Sequence, residues 1–133
     1  MEYLYYFANT SLVVRLLSYL ARQVAFPLAS VTVIYLVDRW VIRIRLHTQL
    51  PVPRALDFEA FLRENGYAYE LSAAAARPVR NALSGLDAGM SVTDVMHRHH
   101  VVVVSHGALQ PTDVENFRTS FVDGLGYCPP SLV

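Results

Sequence analysis

From Ser11 to Arg22 the chain reads SLVVRLLSYLAR. Leu12, Val13, Leu16, Leu17 and Leu20 fall at i, i+1, i+4, i+5 and i+8, with Ser11, Arg15, Ser18 and Arg22 opposite them. This is the spacing of an amphipathic helix with one apolar face, and Asn9, Thr10 or Ser11 can cap its start. Nothing breaks the pattern before Pro27, so the helix is expected to run on.

Residues 23–37 continue as QVAFPLASVTVIYLV, an unbroken uncharged run. As helix it spans about 22 Å, short of the roughly 30 Å hydrocarbon core of a bilayer. Extension back to Ser18 closes the gap, with Arg22 one turn in and able to snorkel to the interface. Asp38 and Arg39 can neutralise each other at the far end, and Pro27 kinks such a helix without forbidding it. The pattern therefore predicts a transmembrane helix over about 18–42. Tyr19, Trp40, Arg43 and Arg45 would anchor it at the two interfaces. Two other readings fit parts of the stretch. Residues 23–37 have the length of a buried core helix. VTVIYLV also has strand propensity, and Trp40, Ile42, Ile44 and Leu46 alternate with Val41, Arg43, Arg45 and His47. The span is preferred because the rest of the chain offers no obvious matching strands. Ser18, Arg22, Ala25, Ala29 and Thr32 recur along it as a small or polar stripe, spaced for close packing against a partner helix.

Pro51 and Pro53 are expected to end this helix in a stiff linker over 51–55. The domain expectation is an amphipathic helix plus span over 1–50, then a small acidic helical domain over 56–133. Within the latter, Asp57 can cap FEAFLREN before Gly66, Ser72 can cap the alanines, and Pro78 can open a turn through Leu83. Ser91 can cap VTDVMHRH, VVVV at 101–104 reads as a short strand or buried segment, and Thr112 with Glu115 forms a capping box. The fold class predicted is mostly α: an amphipathic helix, one transmembrane helix and an irregular helical domain.

Charge sharpens this division. The formal net charge is zero, but in residues 1–55 six arginines outweigh two acids, a net of +4, and in residues 56–133 nine acids outweigh five arginines, a net of −4. The zero total argues against a nucleic-acid partner. All eleven Lys and Arg positions are Arg, which a GC-rich coding genome explains. The arginines after the span place the C-terminal part on the matrix or cytoplasmic side by the positive-inside rule. The start MEYLYYFANTS has Glu2 and no basic residue before Arg15, unlike a secretory or transit leader. Cys128 is alone, so no disulfide, CxxC pair or thiolate metal site is expected.

MHRHHVVVVSHG is the segment richest in candidate chemistry. His97, His99, His100 and His106 lack the paired ligand spacings of a zinc site, and no HExxH occurs. Ser105-His106-Gly107 lacks the glycines of a nucleophile elbow. A helix-turn-helix is disfavoured by the four valines and by a single Arg where phosphates would have to be neutralised. The expectation is no catalytic, cofactor-binding or metal-binding residue. The function expected is a non-catalytic accessory or structural subunit of a multi-subunit membrane complex. Its expected partners are the other subunits and lipid. The setting expected is an energy-transducing complex of the mitochondrial inner membrane, respiratory chain or ATP synthase. The competing expectation is a helical binding or regulatory module with residues 23–37 buried inside it.

Overall fold

The uncharged run is not a helix. The computed structural model describes residues 1–23, 26–109 and 111–119. In it α1 (Thr10–Arg22) stops one turn into the expected span, and the apolar residues from Leu28 onward form strands. Asn9 caps α1, its side chain accepting from the Leu12 amide at 3.0 Å, and Gln23 turns to an extended conformation at the other end. β1 (Glu2–Phe7) precedes α1, and β2 (Leu28–Leu36) and β3 (Arg39–Leu46) follow it. Next come α2 (Val52–Asn65), a two-residue β4 (Tyr67–Ala68), a 3-10 turn over Ala74–Ala76, α3 (Arg77–Asp87), α4 (Val92–His99), β5 (Val102–Gly107) and α5 (Pro111–Phe117).

The mostly α fold with a transmembrane helix is thus replaced by an α/β fold around a five-stranded antiparallel sheet, ordered β4-β1-β3-β2-β5. Among the described residues no helix is long and apolar enough to cross a membrane. Ile34, inside the expected span, is 1% exposed within β2. β1 and β2 are each antiparallel to the β3 that lies between them, so they are parallel to one another. Joined by α1, they make a split β-α-β unit, and the first six elements follow the ferredoxin-like connectivity.

The sheet is covered on both faces, which explains how it resembles a membrane span in sequence. On one face Val31, Val33, Trp40, Ile42 and Ile44 pack against α1, α2 and α5 through residues such as Leu16, Leu20, Phe58, Leu62 and Phe117. On the other, Ile34 and Val41 pack against Val79, Leu83 and Leu86 of α3 and Val95 of α4. A strand buried on both sides loses the apolar–polar alternation and reads as a continuous hydrophobic run. Burying each such side chain contributes roughly 1.5–3 kcal/mol.

β2 and β3 are joined by a tight turn at Val37-Asp38, since Leu36 pairs with Arg39. Two-residue hairpins normally take residues that tolerate positive φ, with Asn-Gly or Asp-Gly as the sequence mark. Here neither turn residue has positive φ; among described non-glycine residues only His100 does. The turn therefore carries no such mark, and Val37 is 92% exposed at its tip.

Pro51 is the N-cap of α2 and Pro53 lies in its first turn, where a missing amide proton is not needed by the helix. Strands from both sides of residues 51–55 share the one sheet. Ser91 caps α4, accepting from the Asp94 amide at 3.2 Å. His100 ends α4 in the left-handed conformation, its amide bonded to the Met96 carbonyl at 3.0 Å. Val114 and Phe117 of α5 are buried, in keeping with their spacing; Phe121, Val122, Gly124 and Gly126 lie outside the described residues.

Gly66 sets how closely α2 and β4 approach β1. A Cβ there would stand 2.7 Å from both Phe7 Cε2 and the Tyr6 carbonyl oxygen. Phe7 is fully buried, so neither atom can yield cheaply. Gly66→Ala is expected to destabilise the fold by about 1–3 kcal/mol, the usual cost of overpacking, as a lowered midpoint in urea with an unchanged slope.

Candidate functional site

Antiparallel register places Leu4, Arg43, Thr32 and His106 in one row across β1, β3, β2 and β5. Glu2, Arg45 and Ser30 form the neighbouring row. Arg43 is 2% exposed and Thr32 1%. A guanidinium this deep requires a counter-charge, and Asp87, the last residue of α3, supplies it. Arg43 Nη1 donates to Asp87 Oδ2 at 3.1 Å, and Nη2 lies 2.9 Å from Oδ1. The second contact is ionic without hydrogen-bond alignment, and Arg43 Nε has no hydrogen-bond partner among the described residues. Arg45 donates to Asp87 at 2.7 Å and to Glu2 at 2.8 Å. Two cations meet two carboxylates, so the charges are consumed in fastening α3 to the sheet.

Burial pushes the Asp87 carboxyl up, but the hydrogen bond and charge of Arg43, then those of Arg45, outweigh it and hold the group below the usual carboxylate range. Beside this cluster, Thr32 Oγ1 and His106 Nδ1 are 2.7 Å apart. The pair resembles a hydroxyl with its general base, but Thr32 is closed to solvent and so to substrate. Burial and then the Arg43 charge, with Arg45 adding to it against Asp87, hold the His106 imidazole below its ordinary value of 6.5.

The expected site residues are distributed as follows. Ser18 and Arg22 lie on α1, Ala29 and Thr32 on β2, and Ala25 outside the described residues. The stripe is therefore not one helix face. Tyr19 stacks on Phe61 with ring centroids 4.1 Å apart. Trp40 packs between Tyr35 and Phe117, at 4.7 and 5.4 Å. Arg43 and Arg45 join the cluster with Asp87. These four residues, expected as interface anchors, are bound up in the fold instead. His97 and His99 belong to α4 and His106 to β5, and no three His, Cys, Asp or Glu side chains converge as a metal set among the described residues. Sequence reasoning missed the role of Asp87 altogether, because a residue so far along the chain meets Arg43 only through the fold.

Two clefts remain. One, of about 510 Å³, is lined by Tyr6, Arg39, Tyr69 and Glu70 among others. The Arg39 guanidinium already sits 4.5 Å over the Tyr6 ring and 2.9 Å from Asp38. The other, of about 610 Å³, lies between α1, β5 and α5, with Leu17, Val104, Leu109 and Phe117 as apolar walls and Ser105, Asp113 and Asn116 as polar groups. It opens beside β5, which ends the sheet. Among the described residues β5 pairs with β2 alone, and a bulge leaves Val104 without a counterpart between the Ser105–Val33 and Val103–Ile34 pairs. No known protein family, curated protein or solved structure matches this chain.

Removing Asp87 would leave Arg43 buried beside Arg45 without a counter-charge. Because water reaches one side of Asp87, Asp87→Ala is expected to cost about 2–4 kcal/mol, below the full penalty for breaking a deeply buried pair. Asp38→Ala, at the exposed hairpin pair, should leave the urea midpoint unchanged. The pH dependence has a definite sign. The Asp87 contribution is complete above its unfolded value near 3.8 and lost as pH falls through the lower folded value. The folded chain also takes up the His106 proton less readily than the unfolded one, so stability should begin to decline as pH falls below 6.5. His106→Gln should remove the decline in that upper window and leave the acid one.

Proposed function

We propose that this chain is a non-catalytic accessory subunit, a module that works by joining other protein chains through extension of its sheet at β5. The observation that carries this reading is the edge itself. Val102-Val103-Val104 is β-branched and uncharged, and its outer side has no strand partner among the described residues. Folded proteins usually protect such an edge with Lys, Pro or a covering element; among the described residues the bulge is the one such device at β5. Strand addition supplies main-chain hydrogen bonds for affinity, while an adjoining pocket selects side chains. The cleft walled by Leu17, Val104, Leu109 and Phe117 adjoins β5 in the way such a pocket would. The non-catalytic part of the reading is supported by the sheet's charged groups being paired with each other and by the seclusion of Thr32 beside His106.

Amide exchange on the assembled form purified from its source, compared with the dilute isolated chain, tests this. The amides of Val102–Ser105 are expected to exchange at least about tenfold more slowly in the assembly, with α2 amides unaltered. Equal β5 exchange in the two forms would overturn the reading.

A further inference from the structure

We propose that the cleft beside Tyr6 and Tyr69 binds an organic cation, an alkylated ammonium or guanidinium group, and that the side chain of Arg39 is its resident stand-in. β4 and β5 form opposite edges of the sheet, so this site is independent of sheet extension at β5. It is built on the aromatic segment EYLYYF. Antiparallel pairing sets Tyr6 beside Tyr67, and the two rings stack with centroids 5.3 Å apart. Tyr67 is 65% exposed and props the Tyr6 ring from the solvent side. The Tyr69 amide donates to the Leu4 carbonyl at 3.0 Å, which holds Tyr69 against the same strand. Its ring meets that of Tyr6 at 81° with centroids 6.2 Å apart, so two aromatic walls make a corner. The Asp38 and Glu70 side chains line the cleft with them, and small residues such as Ala75 and Ala76 leave its volume of about 510 Å³ open.

Tyrosine rings combined with carboxylates suit a weakly hydrated cation: the ring quadrupole attracts its charge, and the apolar ring surface accepts its alkyl or planar body. Arg39 shows that the corner takes such a group. Its guanidinium carbon stands 4.5 Å from the Tyr6 ring centroid, and Nη2 donates to Asp38 at 2.9 Å. The Asp38 hydrogen bond above all, with the Tyr6 and Tyr69 hydroxyls adding to it, holds the Arg39 guanidinium above its ordinary value, so all three groups act on one position. Yet Arg39 is held loosely. The Arg39 and Asp38 side chains are 37% and 67% exposed, and an ion pair this open to water is worth little. Once Arg39 swings out, the charged groups left lining the cleft are two carboxylates, Asp38 and Glu70. Arg80 of α3 is engaged elsewhere, donating to the Leu71 carbonyl at 2.6 Å.

The test is an NMR titration of the isotope-labelled full chain with choline at constant ionic strength, beside the neutral carbon isostere of choline, which has the same shape without the charge. Choline is expected to give saturable shifts centred on the amides of Tyr6, Tyr69 and Ala76, with the isostere at least about tenfold weaker. Arg39→Ala removes the competing guanidinium and should tighten choline binding at least about fivefold. Tyr6→Leu should abolish saturation, and Tyr69→Leu serves the same purpose if that variant fails to fold. A short peptide bearing one trimethylated lysine is titrated in parallel. Tighter binding of the peptide than of choline assigns the cation to a protein side chain, and the reverse assigns it to a free small molecule; either supports the site. Equal binding of choline and its isostere, saturation absent from both wild type and Arg39→Ala, or shifts that survive both leucine variants would overturn the cation site. So would an Arg39→Ala variant that binds no better than wild type. None of these outcomes bears on sheet extension, which is read at the β5 amides.

Discussion

Strands β2 and β3 bury both of their faces, and the elements around them are arranged to keep those faces dry. One side is closed by α1, α2 and α5, the other by α3 and α4. Neither cover is sufficient alone: without α3 and α4, Ile34 and Val41 would face water, and without α1 and α2, Ile42 and Ile44 would. The sheet and its helices are therefore energetically interdependent, as expected when apolar burial supplies most of the driving force.

Within this apolar sandwich, Arg43 is the exception that fixes a geometry. Its side chain is almost wholly buried and held by a carboxylate that arrives at the end of α3. A buried ion pair is a poor source of net stability, since desolvation offsets most of the attraction. Its consequence here is positional. Asp87 contacts Arg43 and Arg45 together only when α3 stops at the right place over β3, and the apolar contacts of Val79, Leu83 and Leu86 alone would tolerate a small slide. The same row brings His106 against Thr32, so the β5 edge is tied to the interior by a polar contact as well as by its ladder.

The outer side of β5 has no strand partner among the described residues. Helix coverage is complete over the central strands and ends at the last one, where the cleft between α1 and α5 opens. Val102, Val103 and Val104 carry no charge, and Asp113 lines the cleft beside them.

Much of the local structure is legible in the amino-acid sequence. The apolar stripe from Leu12 to Leu20, the Asn9 and Ser91 caps, the stop at Gly66 and the strand at the valines follow from periodicity and side-chain chemistry within a few residues. The alternation from Trp40 to Leu46 is legible too, and only an apparent lack of partner strands argues against it. Those partners are the aromatic EYLYYF segment at the start, too short to declare itself a strand by pattern alone, and the run from Leu28 to Leu36. What the sequence could not decide alone was the solvent of the uncharged run. Lipid and a second layer of helices make the same demand on a side chain, so an uncharged run of this length is compatible with either. Val37-Asp38, lacking the turn residues that usually mark a hairpin, leaves the run looking continuous. The tertiary structure decided it by placing α3 and α4 over the second face. It also decided the pairing of Arg43 with Asp87, because the identity of a counter-charge 44 residues away depends on where two surfaces meet, and local pattern carries no record of that.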